Sequence, residues 1–227
     1  MRALVIVHEE DAPGGLVSAW LSESGVEEDD YLISANGRAG RRNPDPRAYD
    51  LVVSLGSEKS AYDDTVSWVP REQALLRDAV SADVPVLGIC FGSQILARAL
   101  GGEALHASRA EIGWVPIRTR DPALIARGPW FQWHHDTFTP PAGALVLADS
   151  PAGPQAYTFG RNLGVQFHPE VTNEIVEEWV SLGRDRLARD HVDSAGLVAE
   201  TRERAAENRS RAWTLMEVFM ARVAGLA

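Results

Sequence analysis

The chain has a single cysteine, Cys90, in 227 residues. An internal disulfide is therefore excluded, and a lone thiol suits a reducing, cytoplasmic setting. Long apolar runs are also missing. The opening MRALVIVHEEDAPGG is apolar only from Ala3 to Val7 before His8 and three acids, too short for a secretory signal, so it reads as a first strand. No segment approaches the ~20 apolar residues of a membrane span, and no membrane partner is expected. Basic residues are few: 22 Lys plus Arg stand against 32 Asp plus Glu, a net charge of −10. Without a basic footprint, a nucleic-acid partner is not expected. There is no G-x-x-x-x-G-K-[ST] loop, no internal repeat, no low-complexity tract and no credible linker. The hydrophobic share of 45% and charged share of 24% are those of an ordinary folded chain. One domain over 1–227 is the expectation, with a core of about 1–182 and a helical C-terminal extension of about 183–227.

What is present is an alternation of short apolar runs with helix-like stretches. Ala3–Val7, Asp29–Ser34, Asp50–Leu55 and Val84–Ile89 read as strands, and Leu16–Ser24, Ser67–Ser81 and Ser93–Leu100 as helices. This order implies parallel strands joined by crossovers. Between Ala110 and Gly164 the runs Trp114–Ile117, Leu145–Ala148, Gln155–Phe159 and Leu163–Phe167 are separated by Pro and Gly, as in a meander. From Glu174 onward the pattern is helical. The expected fold is an α/β three-layer sandwich, flavodoxin-like, with a mixed, mostly parallel central sheet.

The most informative segment is VPVLGICFGSQILARALGG. Gly88 and Gly92 flank Cys90 at minus two and plus two, between a strand and a helix. This is the cysteine form of a nucleophile elbow, which needs tiny neighbours because the chain folds tightly around the reactive residue. It would expose the sulfur at the carboxyl edge of the sheet and at a helix N-terminus, a place that favours a thiolate. The bland alternative is a buried, inert cysteine. A thiolate needs a base and a group to orient it. NLGVQFHPEVTNEIVEEWV offers His168 at a strand end and Glu170 two residues on, so that extended geometry turns both to one side. Thr172 or Asn173 would cap the next helix. Alone, His-Pro-Glu reads equally as a strand-end histidine beside an exposed acid.

GICFGSQ followed by QFHPE and a helix resembles the class I glutamine amidotransferase family, which runs a Cys-His-Glu triad. DLVVSLGSEKSAYDD is similar to the family's oxyanion loop, and EIGW and QWHHDTF are similar to segments of stand-alone members and of the GMP synthase amidotransferase domain. The resemblance runs from about Leu51 to Val180. It implies that Cys90 attacks the side-chain amide of glutamine or another γ-glutamyl amide, with His168 and Glu170 as base and orienting acid. The backbone amides of Gly56 and Phe91 would receive the oxyanion. Gln94, Gly113, Trp114 and Asp136 become the candidates for binding the glutamyl group. Without the resemblance, Gly56 is a strand-end turn, and Gln94 and Asp136 are ordinary caps.

Three positions depart from the family pattern: Ser93, His135 and Glu58. A metal reading of His134, His135, Asp136, His168 and Glu170 matches no metalloenzyme spacing, so neither metal nor organic cofactor is expected. The amidase region leaves only about 45 residues, well below a synthase domain. An ammonia-accepting synthase would therefore be a separate chain. The alternative is a self-contained hydrolase of γ-glutamylated small amines, for which Trp114, Trp130, Phe131 and Trp133 would line an amine pocket unless they are ordinary core. A non-catalytic binding or regulatory subunit would show a broken triad. The C-terminal helices would cap the sheet or form a homodimer face.

Overall fold

The computed structural model describes residues 1–35 and 43–226. The N-terminal half alternates strictly: β1 (Arg2–Val7), α1 (Gly15–Glu23), β2 (Glu27–Leu32), β3 (Leu51–Ser54), α2 (Val69–Ser81), β4 (Val86–Ile89) and α3 (Phe91–Ala99). There follow β5 (Glu103–Val115), β6 (Arg118–Thr119), β7 (Trp130–Thr139), β8 (Leu145–Ser150), β9 (Gly153–Phe159) and β10 (Asn162–Val165). Three helices complete the chain: α4 (Asn173–Leu182), α5 (Arg184–Arg189) and α6 (Ser194–Val218), the last running into a π-helical turn, Phe219–Ala224.

One eight-stranded sheet has the order β2-β1-β3-β4-β10-β9-β8-β6. The strands from β2 to β10 are parallel, and β9, β8 and β6 continue antiparallel. This is the mixed, mostly parallel sheet expected, with helices on both faces. Alternate residues of β1 explain the layering: Ala3 and Val5 pack with Val17 and Leu21 of α1 and Leu215 of α6, whereas Leu4 and Ile6 pack with Leu75 and Leu76 of α2 and Ile95 of α3. A strand buried on both faces reads as an unbroken apolar run, which is why β1, β3 and β4 were visible in the sequence.

Two elements differ from expectation. The second strand is Glu27–Leu32 rather than Asp29–Ser34; it is a sheet edge, so acids occupy it and no apolar pattern marks its start. Residues 130–139, read only as a motif, form β7, which pairs with β5 in a separate antiparallel ribbon. A register shift between His106 and Glu111 breaks the alternation of β5, so its apolar signal surfaced only near Trp114. Among the described residues no helix is long and apolar enough to cross a membrane.

Candidate active site

Parallel order brings the carboxyl ends of β1, β3, β4 and β10 to one edge, where ligand sites of α/β sheets lie. Cys90 stands between β4 and α3 with φ +51° and ψ −108°, a conformation that costs energy for a residue with a side chain. Its N–H donates to the carbonyl of Val165 at 2.8 Å, and its carbonyl accepts from the amide and hydroxyl of Ser93 at 3.0 and 2.7 Å. The flanking glycines answer to backbone contact. A Cβ on Gly88 would lie 2.5 Å from the carbonyl oxygen of Gly92, and one on Gly92 would lie 2.0 Å from that of Ser54.

His168 follows β10, anchored by its N–H donating to the Phe131 carbonyl of β7 at 2.8 Å. Its Nδ1 is 2.6 Å from Glu170 Oε1, and both side chains are 3% exposed. Nε2 has no hydrogen-bond partner among the described residues. The Trp179 ring of α4 meets the imidazole edge-on at 5.0 Å. Burial disfavours the imidazolium, but the charges of Glu170 and Cys90 outweigh it and raise the pKa of His168 to about 10. A Cβ on Gly56 would lie 3.0 Å from His168 Cε1 and 3.8 Å from Cys90 Cβ, so the two side chains converge on this glycine. The Leu55 carbonyl, one residue earlier, accepts from the Gly92 N–H at 3.0 Å, tying the loop after β3 to the elbow.

A cleft of about 800 Å³ opens over these groups. Cys90, Phe91, Gly56, Gln94, His168 and Asp136 line it. Gln94 is buried and donates from Nε2 to Gln166 Oε1 at 3.1 Å, while Gln166 Nε2 donates to Cys90 Sγ at 3.5 Å. Gln166 escaped the sequence reading, although its position two before His168 on an extended segment places it on the same side. Asp136 already accepts from Ser60 Oγ at 2.6 Å and Tyr62 OH at 3.2 Å, with His106 Nδ1 at 3.1 Å.

Gly113 and Trp114 are not among the cleft-lining residues. Gly113 pairs with Gln132 in the β5–β7 ribbon, and the Trp114 indole donates to Thr201 of α6 at 3.0 Å. Of the four clustered aromatics, Trp130 and Phe131 are fully buried and only Trp133 reaches the cleft. Trp179 joins it there, together with Arg186 and Arg189 of α5. His135 holds α5 in place, with Nδ1 accepting from Arg186 at 2.8 Å and Nε2 2.9 Å from Asp190. Ser93 turns inward to the elbow, and Glu58 pairs with Lys59. Among the described residues no group of three or more His, Cys, Asp or Glu side chains is disposed to hold a metal ion.

Fold and site together define an α/β protein carrying a cysteine elbow at the carboxyl edge of its sheet, with a His–Glu pair beside it. The family model described as glutamine amidotransferase class-I matches residues 47–178, and the chain belongs to that family. It is 36% identical over 181 residues to the GMP synthase [glutamine-hydrolyzing] of Thermus thermophilus, covering 72% of this chain but 34% of that protein. The chain thus spans about a third of that relative's length. The glutamine amidotransferase-like protein YfeJ of Salmonella typhimurium is 32% identical over 205 residues, 83% of this chain and 83% of that protein. The crystal structure of a glutamine amidotransferase from Thermotoga maritima superposes with a TM-score of 0.86 at 26% identity, covering 96% of this chain and 97% of that one.

Proposed function

We propose that the protein hydrolyses the side-chain amide of glutamine or of a γ-glutamyl derivative through a thioester on Cys90. The observation that carries this reading is the meeting of Cys90 with the His168–Glu170 pair, 2.6 Å apart, at the base of one cleft. The Cys90 thiolate forms a bond to the amide carbon, and the carbonyl electrons move to oxygen. The amides of Phe91, at the unpaired start of α3, and of Gly56 receive that charge; one such donor is worth ~3 kcal/mol. The imidazolium of His168 passes its proton to the departing nitrogen as the C–N bond breaks. Water then adds to the thioester, the now neutral imidazole takes its proton, and glutamate leaves with the thiolate restored. Glu170 holds the ring so that Nε2 does this work. Gln166 donates toward the sulfur, and Gln94 and Asp136 are assigned to the glutamyl group.

The test is glutamate release by the purified protein and by Cys90→Ala. Release is expected from the first and not from the second, and release that survives in Cys90→Ala would refute the reading.

The relatives named as GMP synthase favour ammonia delivery to a synthase on a separate chain. Rates rising with added synthase would support that arrangement. The breadth of the cleft and its Trp133–Trp179 wall favour a second reading, a leaving amine larger than ammonia. Comparing kcat/KM for glutamine and γ-glutamyl-alkylamides decides between them, and a strong preference for glutamine removes the second. A cytoplasmic location belongs to this reading, since the catalytic thiol must stay reduced.

A further inference from the structure

Behind the loop after β3 lies a group of polar side chains that the reaction steps do not use. His8 directly follows β1, Ser54 ends β3 and Glu72 lies in the first turn of α2; the side chains of His8 and Glu72 are 0% exposed and Ser54 is buried. His8 Nε2 is 2.7 Å from Glu72 Oε2, and Ser54 Oγ donates to Glu72 Oε1 at 2.7 Å. The other ring nitrogen, Nδ1, is 2.9 Å from the carbonyl oxygen of Gly56. A carbonyl only accepts, so Nδ1 carries a proton there. Burial opposes a charge on His8, but Glu72 outweighs it and the pKa is raised. The ring is wedged between Trp68 and Phe91, with centroids 5.0 and 4.7 Å away.

Gly56 has no Cβ to limit its own backbone, so its amide points wherever the two flanking peptide planes are held. The plane before it is pinned by the Leu55 carbonyl accepting from the Gly92 N–H. The plane after it is pinned by His8. We propose that His8, braced by Glu72 and Ser54, is a positioning residue that fixes the Gly56 amide in the orientation that receives the oxyanion. The inference rests on the reading of Gly56 as an oxyanion donor. His8 does not line the cleft, so its effect passes through the loop. A donor fixed in advance stabilises the developing charge without reorganising, whereas a swinging glycine loses that advantage.

The experiment compares wild type, His8→Asn and His8→Phe. His8→Asn retains an N–H in reach of the Gly56 carbonyl and is expected to keep kcat within about threefold. His8→Phe keeps the aromatic packing without the donor and should lower kcat by about 10- to 100-fold with KM changed less than about threefold, part of the loss known for deleting one donor. Alkylation of Cys90 by iodoacetamide passes through no oxyanion, so its rate should be unchanged in both variants. Because His8→Phe strands the Glu72 carboxylate in the core, the double variant His8→Phe/Glu72→Met carries the same comparison in a neutral core. An active wild type with kcat retained in these variants overturns the inference. So does a parallel fall of kcat and alkylation rate, which would mark general damage to the site. A wild type that releases no glutamate overturns the functional reading, and this inference with it.

Discussion

A methyl group on residue 92 would stand 2.0 Å from the Ser54 carbonyl oxygen, at the point where the elbow presses on β3. Gly92→Ala must push the strand or the turn aside, and a stability loss of about 1–3 kcal/mol is expected in urea unfolding. At His168 the question is charge. The pKa of about 10 comes from opposite charges overcoming burial, so Glu170→Gln should lower it. In wild type the alkaline limb of kcat/KM should therefore fall near pH 10, where the imidazolium that protonates the leaving nitrogen is lost. In Glu170→Gln the limb should move to lower pH, and kcat/KM should drop by about 100-fold or more; a pH–rate profile of both reads this. The same shift bears on stability. A histidine whose folded pKa exceeds the unfolded value of 6.5 stabilises fully below pH 6.5 and loses that contribution as pH rises through about 10. Melting temperatures of wild type and His168→Gln should therefore differ more at pH 6 than at pH 10.5.

Among the elements, α4 bears on the site because it lays Trp179 against the imidazole. Its start is capped by Thr172, whose side chain accepts from the Ile175 N–H. Thr172→Ala should cost about 0.5–1 kcal/mol, with kcat within about twofold of wild type, since packing beyond the first turn keeps Trp179 in place. The ribbon of β5 and β7 supports the site from the other side, because the Phe131 carbonyl of β7 holds the backbone of His168. The elbow, the loop after β3 and the segment after β10 are thus joined by three backbone hydrogen bonds: Cys90 to Val165, Gly92 to Leu55 and His168 to Phe131. Elements far apart in the chain share one rigid rim.

Across the whole molecule, the C-terminal helices are part of the main core. Leu215, Met216, Phe219 and Met220 join Ala3, Val53 and Ile89 in one buried cluster, while α5 walls the cleft. Phe219→Ala should therefore cost about 3–5 kcal/mol, as for a large core side chain, visible as a lower denaturant midpoint. A loss under 1 kcal/mol would mean that these helices only rest on the sheet.

Much of this was legible in the residues because it is local. Two glycines around Cys90, and His168 with Glu170 two residues on, record a tight turn and an extended strand end within a few positions. The apolar runs of β1, β3 and β4 record strands covered on both faces. What the residues did not show depends on distance along the chain. His8 meets Glu72 64 residues away, and Gln166 meets Cys90 76 residues away, so no spacing announces either contact. The register shift in β5 hid one strand, and α6 decided that Trp114 packs against Thr201 rather than the cleft. By itself the sequence determined the candidate side chains for the chemistry, through steric demands felt within a turn. Only the tertiary structure decided how Cys90 is surrounded, because parallel strands gather their ends at one edge whatever the length of chain between them.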